Sequence, residues 1–260
     1  MGEVFVITIN SNMNYNPYTL ENKTILVTGA SSGIGRSTAI ECSKLGARVI
    51  ITARNEERLK ETLAQMEGEG HQIIMADLSS NEELDSLVAQ LPVIDGLVNN
   101  AGFTKMRPIL QINEQVFKDI MQVNTFAPIT LTQKILKKKK LNNGGSIVFT
   151  SSTASMRAGG ANSMYACSKA AISIFAKYAA KEFAHRQIRV NSVCPSMVET
   201  AIMASDNMLS EDQIAASKAS YPLGRWGKPE EVAWAIIYFL SDASQWVSGT
   251  SLILDGGRSA

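Results

Sequence analysis

Tyr165 and Lys169 are the residues of this chain whose types and spacing best suit proton transfer. They stand four positions apart, so on a helix both side chains share one face. A tyrosine hydroxyl with an ordinary pKa of about 10 is a weak acid at neutral pH, and an adjacent ammonium lowers that pKa. The pair therefore predicts a general acid or base. A solvated helix face is the alternative interpretation of the same spacing.

A glycine-rich stretch predicts a second chemistry, the binding of a phosphate group. Gly29, Gly33 and Gly35 follow a short apolar run at 25–27 and precede a segment that reads as helical. Glycines in such a turn let the backbone approach a ligand closely, and the helix behind them directs free N–H groups at an anion. No Gly-Lys-Ser/Thr follows, so the stretch predicts a dinucleotide site rather than a Walker A loop. The alternative is a helix cap without a ligand.

The residues after the next two strands favour one nucleotide over another. Ala53 and Arg54 follow the second strand, where an NAD site would place a carboxylate for the ribose 2′-hydroxyl. Arg54 suits a 2′-phosphate instead, and Ser32 could add a hydroxyl contact, so we expect NADP(H). The alternative is a surface arginine paired with Glu57. Asp77 is expected to accept a hydrogen bond from the adenine amino group, unless it caps a helix.

Composition excludes several other classes of function. The net charge of +1 over 260 residues gives no basic field for nucleic acid or a membrane surface. The two histidines have no second potential ligand nearby, so we expect neither a metal site nor a Ser-His triad. The three cysteines are widely separated, which predicts free thiols in a reducing, cytoplasmic compartment. No apolar run approaches a membrane span, and residues 1–9 carry no basic segment typical of a secretory signal.

Alternating strands and helices must position these residues. The rhythm predicts an α/β fold: a Rossmann-type, doubly wound, seven-stranded parallel sheet in a single domain. The predicted strands are 24–28, 48–52, 72–76, 95–98, 146–150, 189–193 and 251–254, with a turn at 142–145. The predicted helices are 33–45, 56–67, 81–89, 113–138, 163–184 and 229–240. Ligands of such sheets bind at the carboxyl ends of the strands, where the glycine turn and the residues after each strand would meet.

Taken together, these motifs resemble the short-chain dehydrogenase/reductase family over residues 22–260. The matching motifs, in order, are T-G-A-S-S-G-I-G at 28–35, N-N-A-G at 99–102, Ser152 and Y-x-x-x-K at 165–169. N-S-V-C-P at 191–195 and L-D-G-G at 254–257 extend the resemblance. It implies an NADP-binding catalytic domain at 22–260 that interconverts a secondary alcohol and a ketone.

The resemblance also implies catalytic roles. Tyr165 would be the general acid in the reducing direction, and Ser152 would bind the carbonyl oxygen. Lys169 would lower the pKa of Tyr165 and hold the nicotinamide ribose, and Asn124 would hold the water that links Lys169 to solvent.

Two further points follow from the resemblance. Ser151 and Ser155 are alternatives for the serine role, and the spacing of thirteen residues before Tyr165 favours Ser152. The residues implied in cofactor binding are Gly29, Ser31, Ser32, Gly33, Ile34, Gly35, Arg54, Asp77, Leu78, Asn100, Ala101, Gly102, Tyr165, Lys169, Pro195, Val198 and Thr200.

One departure lies in the turn after the sixth strand. The family usually has Pro-Gly there, and this chain has Pro195-Ser196. Glycine allows backbone angles that serine tolerates poorly, so we expect an altered turn. The following residues, 196–221, occupy the position of the family's substrate lid. Met197, Met203 and Met208 suit an adaptable apolar pocket there, or serve only as filler.

The sequence is compatible with several classes of substrate. L-G-R-W-G-K-P-E-E-V at 223–232 and the Gly256-Gly257 ending resemble 3-oxoacyl-(acyl-carrier-protein) reductases, whose substrate is a carrier-bound ketone. An acidic carrier protein would meet Arg186 and the lysine run at 137–140, although a solvated helix end is the favoured interpretation of that run. The alternatives are a dehydrogenase of a sugar, polyol or other secondary alcohol, and a non-catalytic NADP-binding sensor or scaffold.

Assembly, location and the start of the chain complete the predictions. The helices at 113–138 and 163–184 carry more apolar surface than one sheet-facing stripe needs, as does the segment 246–254. With the resemblance, this predicts a cytoplasmic homotetramer with two-fold symmetry. Residues 1–21 read as an N-terminal extension of weak structure.

Overall fold

Seven parallel strands form the centre of the molecule. A computed structural model describes residues 15–200 and 210–260. The strands are β1 (Thr24–Thr28), β2 (Arg48–Thr52), β3 (Gln72–Ile73), β4 (Ile94–Asn99), β5 (Leu141–Thr150), β6 (Arg189–Pro195) and β7 (Ser251–Leu254). Their order across the sheet is β3-β2-β1-β4-β5-β6-β7. The predicted doubly wound sheet is confirmed, with the order reversing between β1 and β4, which is where such sheets bind ligands.

Helices cover both faces of this sheet. They are α1 (Gly33–Lys44), α2 (Glu56–Leu63), α3 (Asn81–Gln90), α4 (Glu114–Met121), α5 (Ala127–Lys137), α6 (Ser163–Glu182), α7 (Glu211–Ala219) and α8 (Pro229–Leu240). In the described residues, no helix combines the length and apolar character that a membrane crossing requires.

Two apolar cores lie on opposite faces of the sheet because side chains alternate along each strand. On β1, Leu26 joins the core that contains residues of α3, α5 and α6. Its neighbours Ile25 and Val27 join the other core, with residues of α1, α2 and α8. Leu20 is also fully buried in this second core, so packing reaches into the segment predicted as an extension.

The predicted helix over 113–138 is divided by a π-helical turn at Gln122–Phe126. Pro128 is the second residue of the continuation α5 and has no N–H to donate to the carbonyl of Asn124, so a regular helix cannot run through this point. The turn places Asn124, which is fully buried, between α4 and α6. Pro128 was the available sequence signal for this break.

Other boundaries also differ from the sequence expectation. Strand β3 is shorter than predicted. The residues that follow it form two isolated backbone hydrogen bonds, from Ile74 N to Ile51 O (3.1 Å) and from Ala76 N to Ala53 O (3.3 Å). The predicted turn at 142–145 is an insertion within β5, where pairing with β4 shifts register. Helix α7 lies within the predicted lid. Residues 1–14 of the predicted extension, and Met203 and Met208, lie outside the described residues.

Candidate active site

The carboxyl end of the sheet brings together three of the predicted catalytic residues. Ser152 follows the end of β5, and Tyr165 and Lys169 lie on the first turns of α6. The Ser152 hydroxyl is 3.4 Å from the carbonyl oxygen of Pro195, the last residue of β6. Lys169 is almost completely buried, and its Nζ donates to the Thr150 carbonyl at 2.8 Å. A hydroxyl, a phenol and an ammonium therefore converge at one edge.

The structure separates Ser152 from the two alternative serines. The Ser151 hydroxyl is 2.9 Å from the Lys169 carbonyl and 2.7 Å from the Ser173 hydroxyl, in the interior. The Ser155 hydroxyl donates back to the Ser152 carbonyl at 2.6 Å. The Ser152 hydroxyl accepts from Ala154 N at 3.2 Å, but its proton has only the long 3.4 Å contact with Pro195, so it is the least firmly bonded of the three.

Burial acts on the two titratable groups in opposite directions. It raises the pKa of Tyr165, and an interaction with the Ser152 hydroxyl offsets part of that rise. It lowers the pKa of Lys169 to about 8. The direction for Tyr165 is opposite to the sequence expectation, because desolvation of a phenolate outweighs the cation 5.6 Å from its ring centre. At neutral pH the pair is a neutral phenol beside an ammonium.

The side chain of Asn124 forms hydrogen bonds with two segments of this site. Its amide accepts from Phe103 N (3.0 Å) and donates to Phe103 O (2.9 Å) and to the Ser168 hydroxyl (3.1 Å). Among the described residues it forms no hydrogen bond with Lys169. The side chain thus ties the loop after β4 to α6.

The glycine turn has the close approaches that a dinucleotide site requires. Gly29 has a φ of +65°, and a Cβ there would stand 2.8 Å from the Cα of Ala101. Gly33 has a φ of +54°, and a Cβ there would stand 3.3 Å from Thr200. Ser32 precedes α1, and its side chain makes no capping bond. The N-terminus of α1 is therefore lined by small residues and a free hydroxyl, which fits a pyrophosphate.

Two residues that the sequence analysis missed hold this turn in place. Arg36 donates to the Ser31 carbonyl (2.7 Å), to Thr62 Oγ1 (3.0 Å) and to Glu61 Oε2 (2.9 Å). Thr62 in turn donates to the Ala30 carbonyl at 2.9 Å. The turn's carbonyls are thus bonded by α1 and α2. Sequence alone carried little signal, because Thr62 lies some thirty residues away from the turn.

Thr28 ties the glycine turn to the loop after β4. Its hydroxyl accepts from Asn100 N (2.9 Å) and Ala101 N (3.1 Å) and donates to the Val98 carbonyl at 3.1 Å. The Asn100 amide donates to the Thr28 carbonyl at 3.1 Å. Gly102 follows, and a Cβ there would stand 3.3 Å from Lys169 Nζ. The N-N-A-G motif thereby lies between the glycine turn and Lys169.

Arg54 and Asp77 lie together at the β2–β3 side of this edge. The Arg54 side chain is 77% exposed, and its Nη1 stands 3.9 Å from Asp77 Oδ2, not beside Glu57. Burial raises the pKa of Asp77, but hydrogen bonds from Ser79 and the charge of Arg54 outweigh it, and the net shift is downward. Ser80, not Asp77, caps α3. Asp77 is therefore available to a ligand as a carboxylate.

A family model described as enoyl-(acyl carrier protein) reductase matches residues 29–259. The chain belongs to the short-chain dehydrogenase/reductase family. The predicted resemblance is confirmed, and the protein is an oxidoreductase that acts on a CH–OH/C=O group. Short-chain dehydrogenases/reductases use nicotinamide cofactors.

Relatives with several substrates cover nearly the whole chain. An L-xylulose reductase of Caenorhabditis elegans is 36% identical over 248 residues, covering 93% of this chain and 98% of the relative. A 3-oxoacyl-(acyl-carrier-protein) reductase of Thermotoga maritima is 34% identical over 244 residues, which cover 92% of this chain and 98% of the relative.

Solved structures agree with the fold. A candidate gluconate dehydrogenase of Agrobacterium tumefaciens has a TM-score of 0.87 at 27% identity, covering 94% of this chain and 98% of its own. A candidate NAD(P)-dependent gluconate 5-dehydrogenase of Beutenbergia cavernae, with NADP bound at low occupancy, has a TM-score of 0.81 at 31% identity, covering 94% and 99%.

The serine that departs from the usual pattern of this family is accommodated without strain. Ser196 does not have a positive φ. Its N–H donates to Leu254 O at 2.9 Å, and its hydroxyl is 2.7 Å from the hydroxyl of Tyr221. The expected distortion is absent at Ser196, because its φ lies outside the left-handed region that favours glycine and the side chain gains a partner.

The other predicted cofactor residues lie mostly in the packed parts of this edge. Leu78 and Val198 are largely buried, and Ile34 is partly buried against the core. Val198 pairs with Gly227, which fixes the segment that leads to Thr200. The described residues bring no three His, Cys, Asp or Glu side chains together as a metal site.

Proposed function

We propose that this protein is an NADPH-dependent reductase that converts a ketone to a secondary alcohol, with a 3-oxoacyl thioester as its substrate. The observation that carries the proposal is the convergence of Ser152, Tyr165 and Lys169 beside the glycine turn. The similarity to 3-oxoacyl-(acyl-carrier-protein) reductases supports the substrate class.

The cofactor would be held along the carboxyl edge of the sheet. The glycine turn and the N-terminus of α1 would hold the pyrophosphate, Asp77 the adenine, and Lys169 the nicotinamide ribose. Arg54, with no carboxylate at Ala53, favours a 2′-phosphate and so NADP over NAD. When bound, the reduced cofactor supplies a hydride to the carbonyl carbon.

The chain's own residues would handle the carbonyl oxygen. The Ser152 and Tyr165 hydroxyls bind it and draw electron density towards oxygen. Because its pKa is raised, Tyr165 keeps its proton at neutral pH and donates it to that oxygen. The ammonium of Lys169 favours the phenolate that remains, which makes the donation easier.

An acyl carrier protein is the proposed partner if the substrate is carrier-bound. Lysines 137–139 are exposed at the end of α5 and offer positive charge. Arg186 donates to Asn143 Oδ1 and to the Leu141 carbonyl, and Lys140 donates to the Leu91 carbonyl, so both are partly engaged within the chain. The three free cysteines agree with a cytoplasmic location, and we propose a homotetramer there.

Reduction or oxidation of a sugar or polyol is the second candidate function. It is favoured by the L-xylulose reductase relative and by the two candidate gluconate dehydrogenases among the similar structures. The same side chains would serve it, since the chemistry at the carbonyl is shared.

An NADPH-oxidation assay separates these functions. The substrates are acetoacetyl-coenzyme A, L-xylulose, 5-ketogluconate and a panel of simple ketones. We expect the acetoacetyl thioester to give the highest kcat/KM. A higher value for either sugar would replace the first proposal with the second. If none of these substrates supports the oxidation of NADPH, both proposals are contradicted.

A further inference from the structure

A cavity of about 490 Å³ adjoins the candidate active site. It lies between the turn that follows β5 and the turn that follows β7. Its lining includes Thr153, Met156, Arg157, Ile253, Arg258 and Ser259, with Ala260 at the rim. Thr153 directly follows Ser152 in the chain, so the lining of the cavity begins one residue after the serine proposed to bind the carbonyl oxygen.

Both arginines of this cavity are held by neutral groups. Arg157 Nη1 donates to the Arg258 carbonyl at 2.7 Å. Arg258 Nη1 donates to the Tyr221 hydroxyl at 2.7 Å, and the guanidinium carbon lies 4.6 Å from that ring's centre. Each guanidinium carries five N–H donors, so most of each donor set is left for a ligand. Within the described residues, no ion pair engages either arginine, whether with a side chain or with the carboxylate of Ala260.

Tyr221 fixes the position of Arg258. It is 3% exposed, and its hydroxyl accepts from Arg258 and from Met197 N at 3.2 Å. With both lone pairs occupied, its proton goes to Ser196 Oγ at 2.7 Å. The network extends from the C-terminal turn to the turn after β6, beside Ser152. The guanidinium is therefore held in place before any ligand binds.

The nearby carboxylate is already engaged. Asp255 accepts from Gly257 N at 3.0 Å, from Ser259 N at 2.8 Å and from the Ser259 hydroxyl. Its acceptor sites are thus used by the C-terminal turn itself. These hydrogen bonds leave Asp255 charged, and the α-carboxylate of Ala260 also lies at the rim, so the two guanidiniums share this region with two carboxylates that do not pair with them. Met156 and Ile253, which are 55% and 44% exposed, form the apolar wall of the cavity.

We propose that Arg157 and Arg258 form an anion subsite, which binds a carboxylate or phosphate group at the end of the substrate remote from the ketone. The inference rests on the proposed function, because it takes the bound molecule to be the ketone substrate. Arginine forks match both anions, and the Met156–Ile253 wall packs against the carbon chain between the two ends. The ketone end then reaches Ser152 past Thr153.

Paired substrates that differ only in charge test the subsite. We expect Arg157→Gln to lower kcat/KM for 5-oxohexanoate by about tenfold or more, mainly through KM, since a charge-assisted bond is lost. For methyl 5-oxohexanoate, which has no charge, we expect little change. Arg157→Lys keeps the charge and should recover part of the loss, which a purely structural role would not allow.

A second pair distinguishes the source of the anion. Acetoacetyl-coenzyme A carries phosphates, whereas the acetoacetyl thioester of N-acetylcysteamine is neutral. A loss with 5-oxohexanoate alone assigns the subsite to a carboxylate, and a loss with the coenzyme A thioester alone assigns it to a phosphate. Arg48→Gln is the matched control, because Arg48 is exposed at the amino end of β2, on the opposite edge. Equal losses for charged and neutral substrates would overturn the proposal.

A binding measurement keeps the subsite testable if no ketone is reduced. Thermal unfolding of the full chain with NADPH is followed in sodium 5-oxohexanoate and in inorganic phosphate, each against chloride at equal ionic strength. We expect at least one of the two anions to raise the unfolding temperature of the wild type. The same anion should leave the unfolding temperature of Arg157→Gln unchanged. Stabilisation without any turnover would support the subsite and contradict the proposed function. Turnover with no stabilisation by either anion would overturn the subsite alone.

Discussion

Desolvation sets the protonation of the catalytic pair. Burial raises the pKa of Tyr165 and lowers the pKa of Lys169 to about 8, so the two values move apart and the lysine becomes the stronger acid of the pair. At neutral pH the phenol holds its proton and the ammonium remains mostly charged. This is the protonation state that donation to a carbonyl oxygen requires, since the acid must be protonated before the step and its base stabilised after it.

Tyr165→Phe tests the proton donor directly. We expect turnover to fall by about a hundredfold or more, because the hydroxyl carries the proton and the ring only packs. NADPH binding, measured by fluorescence titration, should remain nearly intact. Tyr178→Phe is the control, since Tyr178 is 67% exposed further along the same helix. A Tyr165→Phe variant that keeps more than a few per cent of the rate would refute the assignment.

Lys169 gives the folded protein a distinctive dependence of stability on pH. Burial lowers its pKa from 10.5 to about 8. Between these values the unfolded chain binds a proton that the folded chain does not, so this lysine makes the free energy of unfolding rise with pH. Below the interval the lysine is charged in both states, and above it the lysine is neutral in both.

Lys169→Met should remove that rise. We expect the stability of the wild type, relative to the variant, to increase between about pH 8 and about pH 10.5, as measured by urea unfolding. Lys177→Met is the control, because Lys177 is exposed on the same helix, and it should keep the slope of the wild type. Parallel curves for the wild type and Lys169→Met would show that the buried lysine has an ordinary pKa.

Arg54→Ala tests the proposed preference for NADPH. We expect the Kd for NADPH to rise by about tenfold, because a charge-assisted bond to the 2′-phosphate is lost. The Kd for NADH should change little, since it has no such phosphate. Lys60→Ala removes a charge on α2 that pairs with Glu56 and serves as the control. Equal losses of affinity for both cofactors would contradict the assignment.

At the scale of elements, the ends of β1 and β4 are joined through one hydroxyl. We expect Thr28→Val to destabilise the protein by roughly 1–3 kcal/mol, because the N–H groups of Asn100 and Ala101 lose their acceptor. The measurement is urea unfolding without cofactor. Weaker NADPH binding should accompany the loss, because the displaced loop borders the proposed nicotinamide position.

Thr52 offers a matched control for that substitution. It pairs with Thr28 in the register of β1 and β2 and is fully buried. Its hydroxyl has no hydrogen-bond partner among the described residues. Thr52→Val should therefore be neutral or stabilising, since it replaces an unsatisfied polar group by a methyl. Similar losses for both variants would mean that shape, rather than the hydrogen bonds of Thr28, determines stability here.

At the scale of the whole molecule, exposed apolar residues lie on the helices proposed for assembly. Phe126, Ile174 and Tyr178 are 54%, 54% and 67% exposed in the single chain. We expect light scattering after size exclusion to give a mass about four times 28.2 kDa. Asp substitutions at Ile174 and Tyr178 should lower that mass, because charge in an apolar interface is costly.

An equally exposed residue elsewhere provides the comparison. Val93 is 48% exposed just before β4, at the opposite edge of the sheet from the site. Val93→Asp should leave the mass unchanged. A wild-type chain that stays monomeric at micromolar concentration would contradict the tetramer and assign the apolar helix face to another partner.

The sequence by itself determined the sheet, the glycine turn and the Tyr165–Lys169 pair. These depend on patterns within a few residues: apolar runs for strands, glycines at the turn, and a four-residue spacing on a helix. Because parallel strands end at one edge, the sequence also placed the residues after each strand together. It could not choose among Ser151, Ser152 and Ser155 by chemistry, since all three carry the same hydroxyl.

Only the tertiary structure decided the rest. The direction of the pKa shift of Tyr165 depends on burial, and burial depends on segments distant in sequence. The bonds of Thr62 to the glycine turn and of Arg157 to Arg258 join residues 32 and 101 positions apart. No local pattern encodes such contacts, because they form only when the layers pack.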